Sequence, residues 1–167
     1  MKIEKILYDK KKINILLEKY VTKKVLIEKK DSKSLVSSHL KKSSHNLLFV
    51  DFLFNEKKFY DWMIVGLYYA IYHASLALVC KKGFISKNHT ATLLFLTKHY
   101  ASISEKDILF LEQMYLSKED ISFYASLMEK RQDASYSTSL LFDEQSVIDL
   151  RIKSIDFINK VKAICED

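Results

Sequence analysis

The sequence has 167 residues but no proline and only two glycines, Gly66 and Gly83. All-β sandwiches and barrels use glycine and proline in many tight turns, so this scarcity argues against an all-β fold. Apolar residues instead recur at steps of three and four over long stretches, which is typical of amphipathic helices. The sequence therefore predicts an all-α fold, an up-and-down helical bundle of four to five core helices with an added N-terminal helix.

Cysteine is also scarce, since Cys80 and Cys165 are the two in the chain and they show no C-x-x-C spacing. Neither a disulfide framework nor a cysteine zinc site is therefore expected. His39, His45 and His99 show no i,i+4 pairing of the kind that holds a metal on one helix. We expect no metal and no other cofactor.

Signals for membrane insertion or secretion are weak. The first twenty residues carry charges every few positions and lack the apolar core of a signal peptide. The longest apolar-rich stretch, residues 62–80, contains tyrosines, a histidine and a serine, which indicates a buried central helix rather than a membrane span. We therefore expect a cytoplasmic protein with no membrane contact.

The net positive charge is concentrated at the N-terminus. Residues 1–33 contain eleven lysines and five acidic residues, whereas the rest of the chain is neutral overall. This segment is either an electrostatic contact for RNA or DNA phosphates or the solvated face of an amphipathic helix. We assign residues 1–32 to a basic amphipathic helix packed on the bundle and residues 33–167 to the bundle itself, in one domain overall.

Apolar spacing and capping residues set the predicted elements. They predict helices over residues 3–29, 35–55, 62–81, 91–100, 117–136 and 143–165, and a further helix that begins at Ser104. In the helix over 62–81 the residues expected to form the bundle seam are Trp62, Val65, Tyr69, Tyr72, Leu76 and Val79. We expect Gly66 to allow close backbone approach and Gly83 to end this helix.

The central helix also carries a recognisable pattern. Residues 61–78, DWMIVGLYYAIYHASLAL, resemble the signature of the HEPN family, in which Tyr-Tyr-Ala, an aromatic residue, His-Ala and Ala-Leu lie on one helix. Residues 82–84 and 86–89, KGF and SKNH, are similar to the glycine loop and Lys-x-His that follow in that family. Residues 131–136, RQDASY, resemble its Arg-x-x-Ala-Asp-Tyr motif. The resemblance covers about residues 33–165.

This resemblance implies a helical module that binds nucleotide or RNA, forms a homodimer and acts as companion of a nucleotidyltransferase, including in systems of the toxin–antitoxin type. It also implies a nucleotide- or RNA-binding set of Arg131, Asp133, Tyr136, His73, Asn88 and His89. An alternative is a metal-independent endoribonuclease with Arg131 and Tyr136 as catalytic residues. A second alternative is a purely structural interaction bundle.

Catalysis is left open because family ribonucleases have four to six residues between the arginine and a histidine, and in this chain four residues separate Arg131 from Tyr136. Tyrosine, with a pKa of about 10, is a poor base at neutral pH. Arg131 is one of only two arginines against 25 lysines. It is either a bidentate phosphate contact or a structural partner of Asp133 or Glu129. His73 is either a ligand-binding residue or a hydrogen-bonded histidine of the core or dimer interface.

Overall fold

One central helix organises the computed structural model, which describes residues 4–101, 116–139 and 142–166. This helix, α4, spans Tyr60–Lys81 and packs against α3 (Val36–Asn55), α6 (Lys118–Tyr136) and α7 (Glu144–Glu166). The shorter α5 (His89–His99) packs on it as well. The expected all-α bundle is confirmed, because these helices bury their apolar residues in one continuous core around α4.

The N-terminal part differs from the single helix predicted over residues 3–29, and that prediction is wrong. Helix α1 covers Glu4–Leu7 and α2 covers Lys10–Thr22. Strand β1, Leu26–Glu28, follows α2 and pairs antiparallel with β2, Phe84–Ser86. A 3-10 segment, Lys30–Leu35, then leads into α3. The chain breaks between α1 and α2 because the Asp9 carboxylate caps α2, where it accepts a hydrogen bond from the Lys12 amide.

This N-terminal segment is part of the core rather than a loose extension. Leu7, Ile13, Leu17 and Leu26 are each at most 5% exposed and belong to the same apolar cluster as α4. The lysines of α2 lie on its exposed side. The segment is therefore basic on its surface and structural on its inner face.

Two further helix ends follow local capping chemistry, as predicted. Ser117 and Asp120 form a reciprocal capping box at the start of α6. Gly83 has φ of +83° just after α4, a conformation that glycine adopts readily. The helix predicted to begin at Ser104 lies outside the described residues.

The predicted seam of α4 is only partly correct. Trp62 is 61% exposed, and Val65, Tyr69 and Tyr72 are half-buried rather than buried. The fully buried side of α4 instead includes Met63, Ile64, Leu67, Tyr68 and Ile71. Because α4 is apolar around its circumference, periodicity alone does not show which face the neighbouring helices leave open.

Length and composition also make α4 a candidate membrane span. It has 22 residues and is the one such helix within the described ranges, and 78% of its most apolar window is buried inside the protein. Its apolar character is accounted for by the helices packed around it.

Helix α3 approaches α4 closely at Gly66. A Cβ at that position would lie 2.6 Å from Val50 Cγ2 and 3.4 Å from Phe49 Cδ1. Val50 is completely buried, so it has little room to move away. The glycine therefore sets the spacing of these two helices.

We expect Gly66→Ala to destabilise the protein. Overpacking of this kind costs about 1–3 kcal/mol, whereas alanine gains about 1 kcal/mol over glycine in helix propensity. The net loss in free energy of unfolding should be roughly 1 kcal/mol, measured by urea denaturation. Val50→Ala removes the clashing methyl group, so adding Gly66→Ala to that variant should cost nothing further. A Gly66→Ala protein as stable as wild type would contradict the close approach.

Candidate functional site

Arg131 lies in the last third of α6 and faces the central helix. Its Nη2 donates a hydrogen bond of 2.9 Å to the Tyr69 hydroxyl. Its guanidinium carbon lies 5.7 Å and 5.6 Å from the ring centres of Tyr68 and Tyr69, within the range of cation–π attraction. These contacts orient the guanidinium without neutralising its charge.

The charge of Arg131 is not balanced by a carboxylate among the described residues. None of the salt bridges there includes Arg131, and its buried Nε has no hydrogen-bond partner in those ranges. Asp133 and Glu129, considered from the sequence as structural partners, are both exposed. An arginine held by a neutral hydroxyl keeps hydrogen-bond donors for an external anion.

His89 lies beside this arginine as the first residue of α5. Its Nδ1 is 2.6 Å from the Tyr68 hydroxyl. Tyr68 is 1% exposed, and this burial raises its pKa well above that of an ordinary tyrosine, so the hydroxyl keeps its proton. Burial, together with the Arg131 cation, lowers the pKa of His89.

The state of His89 follows from these contacts. A protonated Tyr68 hydroxyl can donate to Nδ1 of a neutral imidazole, and we infer this arrangement, which places the ring proton on Nε2. In this tautomer His89 is a hydrogen-bond donor at Nε2, not a base. The ring of Tyr72 packs against the imidazole of His89, with 4.2 Å between the two ring centroids, and this contact fixes the plane of the imidazole.

Some of the residues predicted to bind a ligand have other surroundings than Arg131 and His89. The Asn88 side chain caps α5 by accepting a hydrogen bond from the Ala91 amide, so its role is structural. Asp133 is exposed, and Tyr136, the last residue of α6, is 77% exposed. The hydrogen bond to Tyr69 is the main cause that raises the pKa of Arg131, and Tyr136 contributes weakly in the same direction.

His73 lies apart from Arg131 and pairs with a histidine of another helix. Its Nδ1 is 3.1 Å from Nδ1 of His39, across the contact between α3 and α4. Burial lowers the pKa of both rings, and the nearby imidazole of His39 and the Lys42 ammonium lower that of His73 further, to about 4. The pair matches the interpretation of His73 as a hydrogen-bonded histidine of the core.

Sequence reasoning missed His39 as well as the roles of Tyr68 and Tyr69. The two histidines are 34 residues apart, and Arg131 is 62 residues from Tyr69. No local spacing brings such pairs together. Only the crossing of helices does so.

Comparison with known proteins adds no assignment. No protein-family model matches the chain, and neither does any curated protein.

The histidine pair makes the stability depend on pH. An unfolded histidine has a pKa of about 6.5, whereas folded His73 has a pKa of about 4. Between these values the unfolded state binds more protons, so stability is complete above the unfolded pKa and is lost as pH falls toward the folded one. We expect the melting temperature to decrease from about pH 7 to about pH 5.

His73→Gln should make this decrease shallower because it removes one of the contributing groups. It should not abolish the decrease, since the pKa values of His89 and His99 are also lowered by burial. His45→Gln, which changes an exposed histidine on α3, is the control and should follow the wild-type curve. Identical curves for wild type and His73→Gln would show that His73 titrates normally.

Proposed function

We propose that this protein is a HEPN-like module that binds RNA or a nucleotide, with Arg131 holding a phosphate group. The observation that supports this most is the guanidinium itself, which rests on Tyr69 and lies beside His89 with no carboxylate partner among the described residues. A planar guanidinium suits the geometry of a phosphate, which can accept two parallel hydrogen bonds from it.

The other arginine provides a contrast. Arg151 on α7 donates from Nε and Nη2 to the Asp51 carboxylate at 2.8 Å, so its charge is matched within the protein. Lysine outnumbers arginine 25 to 2 in this chain. Of the two arginines, Arg151 forms an ion pair with Asp51, and we propose that Arg131 binds a ligand.

Neighbouring groups favour a nucleotide over a free inorganic anion. His89 offers an N–H donor at Nε2, and the exposed ring of Tyr136 lies at the end of the helix that carries Arg131. Exposed aromatic rings bind bases by stacking, at about 1–3 kcal/mol per base. A nucleotide could place its phosphate on Arg131 and stack its base on the ring of Tyr136, whereas an inorganic anion could use only the first contact.

Binding without cleavage is favoured over the endoribonuclease alternative. A ribonuclease of this type needs a base to accept a proton from the ribose hydroxyl. The Tyr136 hydroxyl has no hydrogen-bond partner among the described residues, and in the tautomer that we infer for His89 its Nδ1 lone pair accepts the Tyr68 hydroxyl. We therefore propose a non-catalytic cytoplasmic module.

An exposed apolar face suggests a protein partner. It comprises Leu48, Phe49 and Phe52 on α3 with Phe59 and Trp62 at the start of α4, each between 44% and 68% exposed. Trp62 precedes Tyr69 by seven residues, or two helical turns, so this face borders the Arg131 site along α4. We propose that a second copy of the chain covers this face, and that a nucleotidyltransferase is a further partner of the dimer.

We expect Arg131→Lys to weaken binding of a labelled oligoribonucleotide or of AMP. The substitution keeps the positive charge, but lysine cannot make the two parallel hydrogen bonds of a guanidinium to a phosphate. A lost charge-assisted hydrogen bond costs about 1.5–3 kcal/mol. Arg151→Lys is the matched control, which should lower the melting temperature slightly and leave binding unchanged. Fluorescence anisotropy and thermal melting are the measurements. Equal binding by wild type and Arg131→Lys would make Arg131 a structural residue.

The basic N-terminal surface should contribute to RNA affinity through salt-dependent contacts. Deleting it would remove buried Leu17 and Leu26, so neutralising exposed lysines is the better test. The test variant carries glutamine at Lys11, Lys19 and Lys23, and the control carries it at Lys58, Lys118 and Lys153. Each lost phosphate contact should reduce the salt slope by about 0.7. Equal slopes in the two variants would identify the N-terminal lysines as an ordinary solvated surface.

The exposed apolar face should hold the homodimer together. Light scattering coupled to size exclusion should give twice the chain mass of 19.6 kDa for wild type. Phe52→Asp should give monomer, because it places a charge where the partner would bury it. Ile15→Asp, on the exposed side of α2, is the control and should remain dimeric. A monomeric wild-type protein at micromolar concentration would refute this interface.

A further inference from the structure

His39 and His73 bring two imidazole nitrogens to a spacing that suits two ligands of one metal ion. Their Nδ1 atoms lie 3.1 Å apart. Two nitrogens at this separation, each about 2.0–2.1 Å from an ion, subtend an angle of about 98° at that ion. This angle lies between those of octahedral and tetrahedral coordination.

We propose that His39 and His73 together bind one divalent transition-metal ion of the kind that prefers imidazole, such as Zn²⁺, through their Nδ1 atoms. Imidazole nitrogen suits zinc, nickel and copper, whereas Mg²⁺ prefers oxygen ligands. Each ring is half-buried, so water completes the coordination on the open side.

The surroundings prepare this site in two respects. The two ligands lie on long helices of 20 and 22 residues, whose spacing is fixed at the Gly66 contact. The two Nδ1 atoms face each other at 3.1 Å across the contact between these helices. Such a site joins α3 to α4.

Two features limit the affinity. The described residues contain no cluster of three or more histidine, cysteine, aspartate and glutamate side chains placed to hold a metal, so this is a two-ligand site. The Lys42 ammonium also acts on His73. We therefore expect micromolar rather than nanomolar affinity, and Lys42→Gln, which removes this repulsion, should bind the ion more tightly.

The test is calorimetric titration of metal-free protein with Zn²⁺, with Mg²⁺ as the negative probe. We expect one ion per chain, with His39→Gln and His73→Gln each weakening binding by about tenfold or more. His45→Gln changes the exposed histidine on α3 and should bind as wild type does. Melting temperatures without metal verify that each variant is folded.

If the glutamine variants do not fold, the wild-type protein can be titrated with Zn²⁺ and followed by long-range ¹H–¹⁵N spectra of its histidines. The Nδ1 signals of His39 and His73 should then shift together as Zn²⁺ is added. Absence of binding, or equal loss in His45→Gln, would overturn the proposal. So would unchanged binding in both His39→Gln and His73→Gln. The two rings would then be paired by a hydrogen bond only.

Discussion

The burial of α4 on nearly all its faces is the constraint on which the rest of the structure depends. Helices α3, α6 and α7 enclose it, and the Gly66 contact sets how closely α3 approaches. What they leave uncovered is an edge that includes Trp62, Tyr69, Tyr72 and His73. Each candidate functional contact includes a residue of α4: Tyr69 bonds to Arg131, Tyr68 to His89 and His73 to His39. The helix that forms the core therefore also positions the site.

The site itself combines one uncompensated cation with neutral donors. The Tyr69 hydroxyl and the rings of Tyr68 and Tyr69 orient Arg131 without neutralising its charge. In the tautomer that we infer, the buried Tyr68 hydroxyl donates to Nδ1 of His89 and leaves Nε2–H as a donor. A set of donors without a base is suited to holding a phosphate, and it explains in physical terms why we favour binding over cleavage.

Local chemistry made the fold largely predictable from the sequence. The capping box at Ser117 and the glycine at Gly83 mark helix ends because capping involves neighbours in the chain. The break at Asp9 was missed because the apolar period continues through it. The site was predictable only in part. The family resemblance pointed to Arg131 and His89, but their partners Tyr69 and Tyr68 lie 62 and 21 residues away in sequence, and no spacing rule connects them.

The most direct measurement of the central claim is side-chain ¹H–¹⁵N spectroscopy of Arg131 and His89 during titration with AMP. In the free protein, we predict the Nε2–H tautomer of His89, since Tyr68 donates to Nδ1. On titration, the Arg131 guanidinium and His89 Nε2–H signals should shift together and saturate with one ligand per chain. A protonated Nδ1 in the free protein, or a titration that leaves both side chains unshifted, would contradict the account.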